Sequence, residues 1–210
     1  MNIIKPSVEI VSMPDYPEAL RIIEAAARTC YKSEDKIGPG SAEKLIRYCI
    51  KRGHESVLEH VGFTLRIVTD RGVMAELTRH RIGVAFSVES TRYVRYDVEM
   101  EFVEPWWWED DGLDEICKRH FIVACEDAED RYTEIIKHGL PPQAARAVLP
   151  LALATTITIT ANIREWRHIF KLRCDQAAHP DMVRVMTMTR DIAREKLPVF
   201  FEGVKVEVVK

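Results

Sequence analysis

The 210-residue chain has no glycine-rich phosphate loop, neither the G-x-x-x-x-G-K-S/T pattern nor the dinucleotide pattern G-x-G-x-x-G. A phosphorylated ligand would therefore have to be held by arginine, asparagine and hydroxyl side chains. Cysteine is sparse: Cys30, Cys49, Cys117, Cys125 and Cys174 are odd in number, widely spaced and without a C-x-x-C pair. That excludes a disulfide framework and a zinc ribbon, and the five read as reduced thiols. No apolar run approaches the roughly twenty residues that cross a bilayer. The N-terminus lacks a basic segment followed by an apolar core, so a soluble, unexported, cytoplasmic protein with no membrane partner is expected. An excess of one charge is also missing. At a net charge of -3 and a sequence pI near 6.2, no basic face for nucleic acid is expected.

What is present is enough hydrophobic sequence, 47% of residues, for a core of substantial size. A strand is expected over 7–12, then a helix over 17–31 opened by Pro17, with Leu20, Ile23, Ala27 and Cys30 on one stripe. Ser41 should cap a second helix, carrying Leu45, Ile46, Cys49 and Ile50, which Gly53 ends. The stretch 61–69 alternates as a half-buried strand, with Phe63, Leu65 and Ile67 to one side. Asp70 then caps a short helix with Val73, Met74 and Leu77 inward and Arg79, His80 and Arg81 in its last turn, before an extended stretch over 84–96.

Residues 104–112, with Pro105, Trp106, Trp107, Trp108 and a run of acids, read as an exposed or ligand-covering loop. A long helix is expected over 113–138, with Ile116, Ala124, Ala128, Tyr132 and Ile135 at helical intervals, and a short one from Pro141 through Leu149. Alternating threonine and isoleucine predict a strand over 155–160. Asn162 should cap a helix running to about residue 173, followed by a helix over 180–196 and a strand over 204–208. No repeat or linker interrupts the chain, so a single α+β domain over 1–210 is expected.

The densest feature is Arg79-His80-Arg81, followed after eight residues by Ser90-Thr91-Arg92, with Arg95 beyond. Guanidiniums set so close repel one another, and an anion among them relieves that cost. A phosphate-bearing ligand is the reading. A solvated charge run is the plainer alternative.

His54 and His60 lie six apart, not the four that would put both on one helical face, so a helical zinc site is not expected and no metal is assigned. Arg146 stands among Ala144, Ala145, Ala147 and Val148, an expensive place for an unpartnered charge, and an internal carboxylate is one candidate partner. In the helix after Asn162, Ile163, Trp166 and Phe170 mark the buried side, and Arg164, His168 and Lys171 the opposite, wet side. Cys174 beside Arg173 is a candidate for a lowered thiol pKa, and a structural thiol is the plainer reading. Ser90, with Glu89 or His80 as base, is a weak nucleophile candidate.

Four blocks taken jointly resemble the flavin-dependent thymidylate synthases. They are Gly53-His54-Glu55-Ser56 with Glu59-His60, Arg79-His80-Arg81 with Ser90-Thr91-Arg92-Tyr93, Ala145-Arg146-Ala147-Val148-Leu149-Pro150, and Asn162-Ile163-Arg164 with Leu172-Arg173. The resemblance implies a mixed, largely antiparallel sheet with a set of long helices, assembled as a homotetramer with active sites at subunit interfaces. It implies methylation of dUMP to dTMP, with methylenetetrahydrofolate as carbon donor, FAD as hydride relay and NADPH as reductant.

By position, Ser56, Arg79, His80, Arg81, Val88, Asn162, Ile163, Arg164 and His168 would then surround FAD. Glu76, Leu77, Thr78, Arg79, Val88, Glu89, Ser90, Thr91, Arg92, Arg146 and Arg173 would surround dUMP, with Arg173 promoting ionisation of the pyrimidine N3 and no enzyme nucleophile required. The chain departs from the family in three places. The spacing from Arg81 to Ser90 is one residue longer than usual, Val88 stands where an acid or amide is frequent, and His168 stands where asparagine is frequent. The rival from another class is a non-catalytic nucleotide- or RNA-binding module that uses the same arginines.

Overall fold

Asp15, Asp70 and Asn162 each turn a side-chain oxygen onto the amide three residues later, at 2.8, 2.9 and 2.9 Å, and so fix where three helices begin. The computed structural model describes residues 1–97, 99–109, 112 and 115–204. Along the chain come β1 (Asn2–Ile4), β2 (Ser7–Ser12), α1 (Tyr16–Thr29), α2 (Ser41–Lys51), β3 (Gly62–Asp70), α3 (Arg71–Leu77) and β4 (Val84–Val88). They are followed by β5 (Glu101–Val103), α4 (Glu115–Lys137), α5 (Pro142–Ala145), β6 (Ala154–Asn162), α6 (Ile163–Arg173), α7 (Pro180–Lys196) and α8 (Pro198–Phe201). Tight 3-10 turns occupy Glu34–Lys36, Glu55–His60 and Arg146–Val148.

The fold is α+β with mixed sheets: β1 pairs parallel with β5, and β2, β3, β6 and β4 lie in that order in a four-stranded sheet. No helix among the described residues is long and apolar enough to cross a membrane.

Two compact units divide the chain. The first holds Met1–Ser7, Ile67–Arg79 and Ser87–Thr158. Its core gathers Met100, Phe102, Cys125, Tyr132, Ala145 and Leu153. The second holds Val8–Arg66, His80–Phe86 and the described residues from Ile159 onward. There Trp166 lies flat on Phe63, with centroids 5.0 Å apart, and on Phe170, at 5.5 Å, while Phe201 meets both phenylalanines edge-on. Each such pair adds about 0.5–1.5 kcal/mol beyond its burial. The indole N–H of Trp166 donates to the Phe63 carbonyl at 3.3 Å, so this core leaves no orphan donor there.

Several expectations needed correction. Gly40, in the left-handed region at φ 71°, occupies the cap of α2, and Ser41 is its first helical residue, with its hydroxyl accepting the Gly38 amide. α3 stops at Leu77, so Arg79, His80 and Arg81 lie beyond the helix, not in its last turn. Gly83, at φ 71°, then turns the chain into β4. β4 ends at Val88, and Ser90 opens a tight turn in which its carbonyl accepts the amides of Tyr93 and Val94, so 84–96 is not one extended stretch.

On α4, Ile116 and Ala124 are exposed, and the buried positions are Cys125, Ala128 and Tyr132. Ala128 and Tyr132 of the expected stripe are therefore buried and Ile135 packs against the same core, while the stripe's first two members are not covered. Trp107 and Trp108 pack against Phe121, so the tryptophan loop is partly a core element, with Trp106 the exposed member. β1, β5 and α8 are too short for periodicity to reveal. Beyond Val204 the expected 204–208 strand lies outside the described residues, as do positions 113 and 114 of the expected 113–138 helix.

Candidate functional site

The second unit collects its polar groups around the start and inner edge of α6. The period of 3.6 residues sends Arg164, His168 and Lys171 to the exposed face, as the sequence pattern predicts, and buries Ile163, Trp166 and Phe170. Arg164 is paired with Glu59, which the 3-10 turn presents. Arg167 is anchored between Glu55, at 3.0 Å, and the carbonyl of Phe200. Ser56 is exposed in the same turn, and His54 and His60 are both exposed near its ends. Gly83 passes close to the Asn162 side chain, 3.9 Å from where a Cβ at that glycine would stand. The Ile163 side chain is fully buried, and its amide donates to the Val61 carbonyl at 2.8 Å.

His80 is the centre of this group. It is 8% exposed, and its Nε2 accepts the Nε–H of Arg173 at 2.9 Å. A guanidinium can only donate, so that nitrogen carries the lone pair and the ring proton sits on Nδ1. Nδ1 faces Glu165 Oε1 at 3.9 Å, an electrostatic distance and not a direct hydrogen bond. The ring of His168 stands edge-on at 6.1 Å. Burial, reinforced by the positive charges of Arg173 and His168, pushes His80 down to about 4, so it is neutral near pH 7. Burial pushes the Glu165 carboxyl up, against the opposing pull of His168 and Arg164.

One atom each from His80, Glu165 and His168 lie within 4.8 Å of one another, a spacing a metal ion accepts. Here a cation would have to displace the Arg173 proton from His80 or sit against the guanidinium, so the group works better as a hydrogen-bonded row.

In the first unit, Thr78 at the end of α3 turns its hydroxyl back onto the Ala75 carbonyl, and Leu77 is buried. Glu76 is half-buried, and Arg79 is exposed with no ion pair among the described residues. Past the end of β4, the Glu89 amide donates to the Thr156 carbonyl, and its carboxylate accepts the Tyr96 hydroxyl at 2.7 Å. Glu89 is thus occupied and is no base for Ser90, whose own hydroxyl accepts the Arg92 amide.

Thr91, 5% exposed, accepts Nη1 of Arg146 at 3.3 Å. Arg146 itself is exposed at the start of the 3-10 turn, and its observed partner is a hydroxyl and not the candidate carboxylate. Arg92 lies over the ring of Tyr93 at 5.3 Å. Val88 is half-buried at the strand end.

Cys174 takes the structural reading and not the activated one. It is almost fully buried, and desolvation pushes its thiol up to about 11 despite the neighbouring guanidinium of Arg190. Arg81, in the second unit, is exposed with no ion pair among the described residues. Exposed arginines, an amide and an imidazole, with one nearby carboxylate engaged by Arg164, make a donor set suited to a pyrophosphate. Glu165 is the residue that sequence reasoning missed. Asn162-x-x-Glu165 is a capping-box spacing and could have marked it.

Residues 11–199 match the family described as thymidylate synthase complementing protein. The chain is 29% identical to a flavin-dependent thymidylate synthase of Synechocystis sp., over 94% of each chain. It is 32% identical to one of Corynebacterium aurimucosum, over 88% of this chain and 80% of that one. A solved UMP/dUMP methylase, PolB from Streptomyces cacaoi bound with 5-Br dUMP, is similar over 96% of both chains, at 26% identity and a TM-score of 0.80.

Proposed function

The chain belongs to the flavin-dependent thymidylate synthase family, and on that premise we propose that it methylates dUMP to dTMP with FAD, methylenetetrahydrofolate and NADPH. The donors of the second unit, Ser56, His80, Arg81, Asn162, the backbone of Ile163, Arg164 and His168, together with Arg79 and Val88, hold the flavin. FAD, when bound, supplies the hydride that turns the transferred carbon into a methyl group. Glu76, Leu77, Thr78, Arg79, Val88, Glu89, Ser90, Thr91, Arg92 and Arg146 bind the nucleotide, the arginines and hydroxyls meeting its phosphate and sugar.

Arg173 acts on the pyrimidine. A guanidinium held beside N3 stabilises the anion, lowers the N3 pKa and makes C5 electron-rich enough to attack a one-carbon unit. The observation that carries this role is the hydrogen bond from the Nε–H of Arg173 to Nε2 of the buried His80 at 2.9 Å, which holds the guanidinium in place. No thiol is needed, in keeping with the buried, protonated Cys174. The protein acts as one catalytic domain over 1–210, in the cytoplasm, as a homotetramer. Ile82 and Tyr93, exposed beside Arg81 and Arg92, supply apolar surface for such an assembly.

The test is an absorbance scan followed by NADPH oxidation with and without dUMP. Yellow protein that forms dTMP, and an Arg173→Ala variant that keeps its flavin but forms none, are expected. Protein that binds no added FAD, or binds RNA with a steep salt dependence and oxidises no NADPH, would sink the reading.

A further inference from the structure

Glu165, His80 and Arg173 form a row in which an acid faces one ring nitrogen and a guanidinium donates to the other. The acid favours a proton on Nδ1, and that tautomer leaves Nε2 as an acceptor. The contact uses the Nε–H of Arg173, the proton nearest the aliphatic stem. Holding that proton fixes rotation about the last stem bond, and with it the plane of the guanidinium and the direction of its two terminal nitrogens. Arg173 is the last residue of α6, and His80, buried, is joined to it across 93 positions of sequence.

We propose that His80 is a positioning residue that holds the guanidinium plane of Arg173 for the reaction, with Glu165 keeping the imidazole in the tautomer that can accept. The proposal rests on the reading of Arg173 as the group that acts on the pyrimidine.

Two amides separate the ring nitrogens experimentally. In His80→Gln the amide can place its oxygen where Nε2 stands and accept the Arg173 proton. In His80→Asn the amide reaches only as far as Nδ1. Both variants, Glu165→Leu and Arg173→Ala are assayed as full-length protein saturated with FAD. The readouts are kcat and KM for dUMP in dTMP formation.

His80→Asn should lose about 10- to 100-fold in kcat, the range expected for a misplaced catalytic group, with KM for dUMP within about threefold of the parent. His80→Gln should recover kcat to within about threefold, and Glu165→Leu should lose roughly three- to tenfold in kcat alone. The positioning role is overturned if Gln and Asn are equally impaired, if both are fully active, or if KM for dUMP rises in step with the loss of kcat. If Arg173→Ala still forms dTMP, the reading of Arg173 fails and the positioning role fails with it. If Arg173→Ala is inactive while His80→Asn is not, only the positioning role fails.

Discussion

Nη1 of Arg146 donates to the hydroxyl of Thr91 across 55 positions of sequence, at 3.3 Å, and ties an exposed cation to a buried threonine. If the pair meets the nucleotide, its two members should fail unequally. Arg146→Ala removes a charged donor and should raise KM for dUMP roughly 10- to 100-fold. Thr91→Val removes only the hydroxyl that steadies that donor, and a rise of about three- to tenfold is expected. Steady-state kinetics with dUMP varied checks both, and an unchanged KM in Arg146→Ala would remove this residue from the nucleotide site.

Acid should destabilise the protein through His80. Its folded value is near 4 against an ordinary 6.5, so between those values the unfolded chain binds more protons. Stability is therefore full above about 6.5 and falls as pH drops towards 4, by on the order of 3 kcal/mol from this group. Glu165 works in the opposite sense. Its raised carboxyl adds stability below the ordinary value of 4.5 that is lost as pH rises through its folded value. Urea midpoints measured from about pH 7.5 to about pH 5 should fall less in His80→Gln than in the parent; parallel curves would contradict the assignment.

The cysteines should divide into two classes. Cys30 and Cys117 are exposed, while Cys49, Cys125 and Cys174 are buried and their thiols are pushed up, the last two to about 11. Iodoacetamide at about pH 7.5, read by mass spectrometry, should label Cys30 and Cys117 in the folded protein and the other three only after unfolding.

Stability should depend far more on Trp166 than on the tryptophan loop. Trp166 is fully buried between two phenylalanine rings, and Trp166→Ala should cost about 3–5 kcal/mol in urea unfolding. Trp106 is half-exposed, and Trp106→Ala should change stability by less than about 0.5 kcal/mol.

Elements whose signals are local were legible in the sequence. β2 and α7 begin and end where periodicity and punctuation place them, and α6 begins at the Asn162 cap and runs to Arg173. Caps, proline at a first helical turn and alternating branched residues act within a few positions, so a single chain displays them. On α4 the burial of Ala128 and Tyr132 was legible from the period, but the exposure of Ile116 and Ala124 was not, because they are as apolar as the residues that were buried. Likewise β1 and β5 exist only because each has the other to pair with, Asn2 opposite Glu101.

At the site, the sequence by itself determined the inventory: the arginines of 79–92, Arg146, and the run from Asn162 to Arg173, at spacings that single out one family. Tertiary structure alone decided what each one touches. Of the partners open to Arg146 the fold supplies a hydroxyl, and of the two readings of Cys174 burial selects the structural one. His80, which as part of a basic run looked like one more cation, is neutral because burial beside Arg173 makes its charged form costly. Hydrogen-bond partners and desolvation depend on groups brought together from distant parts of the chain, and only folding makes them neighbours.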